Sequence, residues 1–329
     1  MKAGLTMIHN TFILSPDRNV SLSKYLIKDQ PEYQHGLKRP MVVICPGGGY
    51  SFLSERESEP IALKYVSAGF HAAILRYGIN EYAVAPGPLM DLAESVAHIR
   101  MHAEEWNVDP NAIIVSGFSA GAHVAAQLGV FWNNREMFPD LSDRTLIRPN
   151  GMILGYPVLD LHATSSHTDI GAKPGQKPEE ISFGQKHPKM PMSEYFVFDE
   201  AEKRYFVNFR VAMNAYIFDG EYTAEQEDFY SLQNQVSEDT CPAFLWHCDG
   251  DGLILPSNSL DFASAMKRYD RPVELHLFAG GGHGIALANE RTACDIWNYY
   301  PYAESWMKHS IDWIDQLTGF NRTILQTIS

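Results

Sequence analysis

The chain alternates between short apolar runs, which predict buried strands, and longer segments with helical spacing. Met41–Cys45 and His71–Tyr77 are apolar runs of the kind found in strands that are buried on both faces of a sheet. Leu89–His102 repeats apolar residues at every third or fourth position, which predicts a helix. The polar and apolar residues of the first forty positions alternate, as in Thr11–Leu14 and Val20–Ile27, and predict an antiparallel start to the sheet.

The same pattern continues to the end of the chain. The further predicted strands are Ala112–Val115, Met152–Leu154, Ala243–Trp246 and Val273–Phe278. The further predicted helices are Pro60–Ala68, Ala120–Phe131, Ser259–Tyr269 and Ala303–Leu317. Because strands and helices alternate, we expect an α/β fold in which a mostly parallel central sheet carries helices on both faces.

Residues 162–235 interrupt this alternation. The segment is polar and aromatic, has no clear period and contains the breaker Lys173-Pro174-Gly175, so we expect a long loop. A loop of this length inside a compact domain is usually a functional lid or is disordered. We therefore expect residues 1–329 to form a single domain with 162–235 inserted as a cap. A peripheral subdomain or a dimer contact is the alternative for this segment.

The composition indicates a folded and acidic protein of 329 residues. Its apolar fraction of 45% excludes a disordered chain, and its net charge of −14 argues against nucleic acid and membrane surfaces as partners. The N-terminus lacks a leader pattern, no run of 18 apolar residues occurs, and the four cysteines show no zinc or disulfide spacing. These features predict a cytoplasmic protein that acts on a small neutral partner, and they leave a homo-oligomer open.

Gly117-Phe118-Ser119-Ala120-Gly121 matches the pattern G-x-S-x-G, which presents a serine nucleophile on a sharp strand-to-helix turn. Chance alone would produce about 0.1 such matches at this composition. The context adds weight, because a predicted buried strand precedes the motif and a helix of small residues follows it. Ser119 is the candidate nucleophile, and a glycine-rich structural turn is the alternative.

A serine hydroxyl needs a base to take its proton and a carboxylate to orient that base. His283 is the candidate base, because it lies in a glycine-rich loop directly after a predicted strand. Asp249 and Asp251 both follow another predicted strand, and the local pattern favours Asp251 as the acid. The order Ser119, Asp251, His283 is the one expected of an α/β-hydrolase.

Three other histidines are weaker candidates for the base. His276 lies inside a predicted strand, and His123 lies one helical turn after the serine, where packing is the expected role. His247 follows a predicted strand and could approach the site, but nothing beside it indicates a base.

The same chemistry needs N–H donors where negative charge develops on the substrate oxygen. Ala120, directly after the candidate nucleophile, supplies one. Others lie in Gly47-Gly48-Gly49, where backbone without side chains can approach a substrate closely. A phosphate-binding turn is the alternative for this glycine run, although no G-K-[ST] follows it.

With these motifs the chain resembles α/β-hydrolase serine esterases. The resemblance is greatest to bacterial acetyl-esterase and acetylxylan-esterase-like proteins of the hormone-sensitive-lipase-like branch. It rests on CPGGGY (45–50), GFSAGAH (117–123), YPVLD (156–160), FLWHCDGDGLILPSNSL (244–260) and VELHLFAGGGHG (273–284).

The resemblance implies a function and a set of site residues. Matching back from Asn258-Ser259-Leu260 places the catalytic acid on Asp251, and the oxyanion donors fall on Gly48, Gly49 and Ala120. It implies a serine carboxylesterase that hydrolyses short esters, above all acetyl esters, without a metal or an organic cofactor. The implied substrate is a small ester, with acetylated oligosaccharides among the candidates.

Two other functions stay open at this point. A serine peptidase of the prolyl-oligopeptidase type shares this catalytic domain, and one of the aminopeptidase kind would also need acidic residues to hold a substrate amine. A non-catalytic module that keeps the fold as a ligand pocket is the second alternative, although all three triad positions are filled here.

Overall fold

The computed structural model describes residues 7–32, 35–169, 171–181 and 186–328. The strands are β1 Met7–Ser15, β2 Val20–Ile27, β3 Arg39–Cys45, β4 His71–Arg76, β5 Val108–Phe118, β6 Gly151–Gly155, β7 Phe196–Asp199, β8 Arg204–Val207, β9 Ala243–Cys248 and β10 Val273–Phe278. The α-helices are α1 Glu59–Ser67, α2 Gly87–Met101, α3 Ala120–Phe131, α4 Met192–Tyr195, α5 Phe209–Phe218, α6 Ala224–Phe229, α7 Ser257–Arg268, α8 Ser305–Thr318 and α9 Phe320–Ile328.

Eight of these strands form one sheet in the order β1–β2–β4–β3–β5–β6–β9–β10. All neighbours from β4 to β10 run parallel, whereas β2 is antiparallel to both β1 and β4. The prediction of a mostly parallel sheet with an antiparallel start is therefore confirmed.

Helices cover both faces of the sheet and enclose two hydrophobic cores. One core lies under α2, α3 and α7, and the other lies under α1, α8 and α9. Strand β3 contributes to both, since Met41 and Val43 enter the first core while Val42 and Ile44 enter the second. Successive side chains of a strand point to opposite faces, so burial on both sides demands the continuous apolar run seen in the sequence.

Element ends differ from the sequence expectation where pairing extends a strand beyond its apolar residues. Strand β5 was expected over Ala112–Val115 but begins at Val108, which pairs with Arg39 of β3. Helix α9 was not expected at all. It is short, and it packs through Phe320 against Phe70, whose ring centroid lies 5.6 Å away.

The segment 162–235 contains α4, β7, β8, α5 and α6, where the sequence indicated a loop without a period. Helix α4 and strands β7 and β8 have four residues each, which is too short for a repeat to be visible. Part of the segment forms a small core of its own, while Met213, Ile217 and Leu232 join the core under α3. The Leu232 N–H also donates to the Leu159 carbonyl, 2.6 Å away.

The four cysteines are free thiols, of which three are buried and Cys294 is exposed. Across the described ranges, no group of three or more histidine, cysteine or acidic side chains is placed to hold a metal ion. No helix in those ranges has both the length and the apolar character needed to cross a bilayer.

Candidate active site

The candidate functional residues gather at the carboxyl ends of four parallel strands of the sheet. Gly47–Gly49 follow β3, Ser119 follows β5, Asp251 follows β9 and His283 follows β10. Parallel strands end at the same edge of a sheet, so loops after these strands share one crevice. Side chains that are up to 164 positions apart along the chain thereby come into contact.

Ser119 lies on a tight turn between β5 and α3. Its backbone has φ +52° and ψ −122°, a region that L-residues rarely adopt. The flanking glycines make the turn possible, because a Cβ on Gly117 would lie 2.2 Å from the Gly121 carbonyl oxygen. A Cβ on Gly121 would lie 2.1 Å from the Cys45 carbonyl oxygen, so neither position accepts a side chain.

Ser119, His283 and Asp251 form a continuous hydrogen-bonded chain. Ser119 Oγ lies 2.9 Å from His283 Nε2, and His283 Nδ1 lies 2.7 Å from Asp251 Oδ2. An ionised carboxylate only accepts hydrogen bonds, so Nδ1 carries the ring proton. Nε2 is therefore left to accept the proton of the serine hydroxyl.

The carboxylate of Asp251 is buried and fully engaged. Its Oδ1 accepts the N–H groups of Leu253 and Ile254, each at 3.0 Å, and its Oδ2 faces His283 and His247. Burial alone would raise the pKa of Asp251, but the charge of His283 and the hydrogen bonds from both histidines outweigh it. The pKa of Asp251 is thus held below its ordinary value.

Asp249, the other acidic residue of this loop, lies elsewhere. Its side chain is exposed, and its Oδ1 accepts the N–H of Gly280. The structure therefore brings Asp251, and not Asp249, onto the histidine.

The environment of His283 favours the imidazolium. Burial opposes the charged ring, yet the charge and hydrogen bond of Asp251, followed by the charge of Glu57, outweigh burial and raise the pKa of His283 above its ordinary value of 6.5. The ring also packs edge-to-face on Tyr156, with centroids 5.0 Å apart.

His247 contacts the acid, a role that the sequence did not indicate. Its Nε2 lies 3.0 Å from the Ile254 carbonyl oxygen and 3.2 Å from Asp251 Oδ2, while its Nδ1 lies 2.8 Å from Ser259 Oγ. A carbonyl oxygen only accepts, so Nε2 carries a proton and points it at Asp251 as well. The only signal in the sequence was the four-residue spacing between this histidine and the acid.

The backbone N–H groups of the glycine run differ in their partners. The Gly47 N–H donates to Glu57 Oε2 at 2.8 Å and is engaged. Among the described residues, no protein acceptor takes the N–H of Gly48, Gly49 or Ala120, the first residue of α3. Gly48 has φ +137°, and a Cβ there would lie 2.0 Å from the Phe52 carbonyl oxygen, so the turn requires glycine.

A cavity of about 630 Å³ opens beside Ser119 and His283. One wall is apolar and comes from α5. A second side comes from the loop after the glycine run and is mostly polar, although Phe52 and Leu53 of this loop also line it. The α5 wall consists of Phe209, Ala212, Met213 and Tyr216, and the polar side includes Ser51, Ser54, Glu55, Arg56 and Glu57.

The aromatic residues of 162–235 divide into two groups. Phe209 and Tyr216 line the cavity. Phe196 belongs to the small core of the segment, and Phe198 is 41% exposed on β7. The aromatic character of the segment therefore serves its own packing as well as the cavity wall.

His123 and His276, the remaining histidines considered as the base, have the packing roles that the sequence predicted. His123 is buried, accepts from the Tyr50 hydroxyl at 2.7 Å and donates to the Tyr230 carbonyl oxygen at 2.8 Å. Burial lowers the pKa of His123 to about 4. His276 lies in β10 and stacks on His309, with ring centroids 4.5 Å apart.

A sequence model with the description BD-FAE matches residues 30–208, more than half of the chain. The chain belongs to the BD-FAE family. A model of the prolyl oligopeptidase family matches residues 189–310, which include Asp251 and His283. The family match covers the glycine run and the serine turn.

Two curated relatives of this BD-FAE member have names that refer to xylan. Endo-1,4-beta-xylanase B of Butyrivibrio fibrisolvens is 28% identical over 265 residues, which cover 77% of this chain and 34% of that protein. Acetylxylan esterase of Xylanibacter ruminicola is 26% identical over 256 residues, which cover 75% of this chain and 41% of that protein. The chain therefore spans between about a third and two fifths of the length of these relatives.

Solved structures match over nearly the whole chain. The carboxylesterase Cest-2923 from Lactobacillus plantarum WCFS1 is 26% identical, with a TM-score of 0.71 and coverage of 96% of this chain and 98% of that chain. An acetyl ester-xyloside bifunctional hydrolase from Caldicellulosiruptor lactoaceticus is 26% identical, with a TM-score of 0.67 and coverage of 92% and 89%. The chain is thus an α/β hydrolase that is similar to esterases and acetylxylan esterases, which confirms the resemblance.

Proposed function

We propose that this chain is a serine carboxylesterase for short acyl esters, with acetylated carbohydrates as its substrate class. The observation that carries the proposal is the hydrogen-bonded chain from Ser119 through His283 to Asp251. A hydroxyl that lines the cavity, a base and an orienting carboxylate at these distances are what acyl transfer requires.

In the proposed reaction, Ser119 Oγ attacks the ester carbonyl carbon while His283 Nε2 takes the hydroxyl proton. Asp251 holds the imidazolium that forms and stabilises its charge. The proton then passes from Nε2 to the departing alcohol, which leaves an acyl group on the serine. Water, deprotonated by the same nitrogen, releases the acid and restores the free hydroxyl.

The negative charge of each tetrahedral intermediate falls on the former carbonyl oxygen. We propose that the N–H groups of Gly48, Gly49 and Ala120 bind this oxygen, because they lack protein acceptors within the described residues and Gly48 and Gly49 line the cavity beside Ser119. Each well-placed donor is worth roughly 2.7–4 kcal/mol of transition-state stabilisation.

The two walls of the cavity support an orientation for the substrate. An acetyl or short acyl chain is apolar and suits the α5 side, whereas a sugar hydroxyl face suits the polar side with Ser54, Glu55 and Arg56. A volume of about 630 Å³ leaves room for an alcohol portion beyond the acyl group. The similarity to an acetylxylan esterase and to an acetyl ester-xyloside bifunctional hydrolase favours the same class.

We also propose that 162–235 serves as a cap, within a single domain that spans the chain. Helix α5 of this segment forms the apolar wall, and its N-terminal Phe209 ring lies within 3.3 Å of where a Cβ on Gly49 would be. A peripheral subdomain would not place side chains beside the glycine run.

The cap proposal predicts a change in acyl preference for Met213→Ala. Removal of the side chain enlarges the cavity on its apolar side and leaves room for a longer acyl chain. We therefore expect kcat/KM for 4-nitrophenyl butyrate, relative to that for 4-nitrophenyl acetate, to rise by roughly threefold or more. Val197→Ala, on β7 of the same segment and outside the cavity lining, should leave the ratio as it is. An unchanged ratio in Met213→Ala would exclude α5 as the acyl wall.

The peptidase alternative is disfavoured by the carboxylates of the cavity. Among the described lining residues these are Glu55 and Glu57. Glu55 is paired with Arg76 at 2.7 and 2.8 Å, and both oxygens of Glu57 accept hydrogen bonds from the protein. Among the described lining residues, no carboxylate is therefore without a protein partner, although Glu55 is exposed and its ion pair with Arg76 is a weak surface contact.

A substrate panel tests the proposal directly. We expect acetate release from acetylated xylo-oligosaccharides and from 4-nitrophenyl acetate, with turnover falling as the acyl chain lengthens. Prolyl nitroanilides should give no detectable turnover. A fluorophosphonate probe should label Ser119, and an inert binding module would give no labelling. Cleavage of the nitroanilides without ester hydrolysis would replace the proposal with the peptidase alternative.

The raised pKa of His283 predicts the pH dependence. The base must be neutral to accept a proton, so kcat/KM for 4-nitrophenyl acetate should rise with pH through the pKa of His283 in the free protein. We expect the midpoint of this acid limb above 6.5, with an approximately tenfold fall per pH unit below it. A midpoint at or below 6.5 would contradict the assigned environment of the base.

A further inference from the structure

Glu57 is a buried carboxylate in the cavity wall that no step of the proposed reaction uses. It ends the short helical turn Glu55–Glu57, and only 3% of its surface is exposed. Burial of a carboxylate is costly unless its oxygens are hydrogen-bonded, so its partners indicate what it holds.

Its two oxygens bind two different loops of the candidate site. Oε2 accepts the Gly47 N–H at 2.8 Å, and Oε1 accepts the Tyr156 hydroxyl at 2.6 Å. The Tyr156 hydroxyl itself accepts the Ala286 N–H at 3.1 Å, so its proton points at Glu57. Both partners of the carboxylate are donors, an arrangement that suits its ionised form.

Glu57 therefore links two parts of the site. One is the Gly47–Gly49 turn, and the other is the loop that carries His283. On one side, the Gly47 contact orients the peptide that leads into Gly48. On the other, Tyr156 packs its ring edge-to-face on His283 and receives the Ala286 N–H from the same loop.

We propose that Glu57 is a positioning residue, which through Gly47 and Tyr156 holds the oxyanion-binding turn and the His283 loop in their reactive arrangement and stabilises the imidazolium by its charge. This inference rests on the proposed esterase function and assigns a residue that acts through others.

The charge of Glu57 acts on His283 together with that of its neighbours. Asp251 contributes the larger effect, Glu57 raises the pKa of His283 further, and Arg56 lowers it. The uncharged groups against the ring are the Tyr156 phenol and the Ser119 hydroxyl, while His247 faces Asp251 from β9.

Glu57→Gln tests the role of the charge, because it keeps the size of the side chain. Glu59→Gln is a matched control: Glu59 lies two residues further on, and its Oε1 accepts the hydroxyl of another tyrosine, Tyr25, at 2.7 Å. Glu59 does not line the active-site cavity. Tyr156→Phe tests the geometry, since it keeps the ring on His283 and the charge of Glu57 but removes the bridge.

Two readouts separate positioning from a merely structural role. In Glu57→Gln we expect kcat for 4-nitrophenyl acetate to fall at least ~10-fold with KM changed by less than ~3-fold, because the lost interaction matters most in the transition state. The pKa of His283, followed by NMR of labelled histidine in the free protein, should fall by roughly half a pH unit. Tyr156→Phe should lower kcat without lowering that pKa.

Several results would overturn the inference. Wild-type kcat in Tyr156→Phe, or wild-type kcat and His283 titration in Glu57→Gln, would show that the bridge has no role. Equal effects of Glu57→Gln and Glu59→Gln would show that the loss of any nearby negative charge, and not the contacts of Glu57, lowers the activity. The NMR titration needs no substrate, so if wild-type protein hydrolyses no ester, the proposed function fails while the titration still decides the contact between Glu57 and the base.

Discussion

Ser119→Ala should reduce the turnover of 4-nitrophenyl acetate by about 10⁴-fold or more. The remaining rate should be close to that of hydrolysis by His283 or the buffer without a serine nucleophile. Among the described residues, the Ser119 hydroxyl is the nucleophile that contacts His283 Nε2 and could form an acyl-enzyme. The substitution keeps the Cβ and therefore the strained turn, so the variant should fold as the parent does. Loss of activity with an unchanged melting temperature would separate chemistry from stability.

A second serine provides the control. Ser95 is buried in α2, where its hydroxyl donates to the Asp91 carbonyl oxygen, and it lies outside the cavity lining. Ser95→Ala should keep full turnover. If Ser119→Ala also keeps its turnover and still releases acetate, the nucleophile lies elsewhere and the proposed mechanism is wrong.

Asp251→Asn should reduce kcat by about 10⁴-fold, because it moves the ring proton of His283 from Nδ1 to Nε2. The N–H groups of Leu253 and Ile254 will hold the amide oxygen where Oδ1 lies now. The amide nitrogen then faces His283 Nδ1 as a donor, which places the ring proton on Nε2. A protonated Nε2 cannot accept the proton of the serine hydroxyl.

The same variant should also lose stability. The amide nitrogen and the Nε2–H of His247 are both donors, so the contact that now lies at 3.2 Å becomes unfavourable. An unsatisfied buried donor costs roughly 1–3 kcal/mol, which thermal unfolding would detect.

Asp249→Asn is the matched control for this loop. Its side chain is exposed and an amide oxygen can still accept the Gly280 N–H, so we expect kcat within ~3-fold of the parent. If Asp249→Asn causes the larger loss, the acid has been assigned to the wrong residue.

The buried strands and the serine turn could be predicted because their signals are local. A strand buried on both faces must be apolar throughout, as Val42 and Val43 show, and the serine turn must be flanked by glycines because Gly117 and Gly121 have no room for a Cβ. Within the segment 162–235, α4, β7 and β8 lacked such a signal, since elements of four residues show no period and depend on contacts with the rest of the fold for stability.

The sequence by itself determined the α/β class and the candidates Ser119 and His283, because each rests on the residues immediately around it. Only the tertiary structure placed Asp251 on His283, engaged the N–H of Gly47 and brought Glu57 between two loops. These contacts join residues from different strand ends, and their distances follow from how the sheet aligns those ends. No local pattern of hydrophobicity or glycine carries that information.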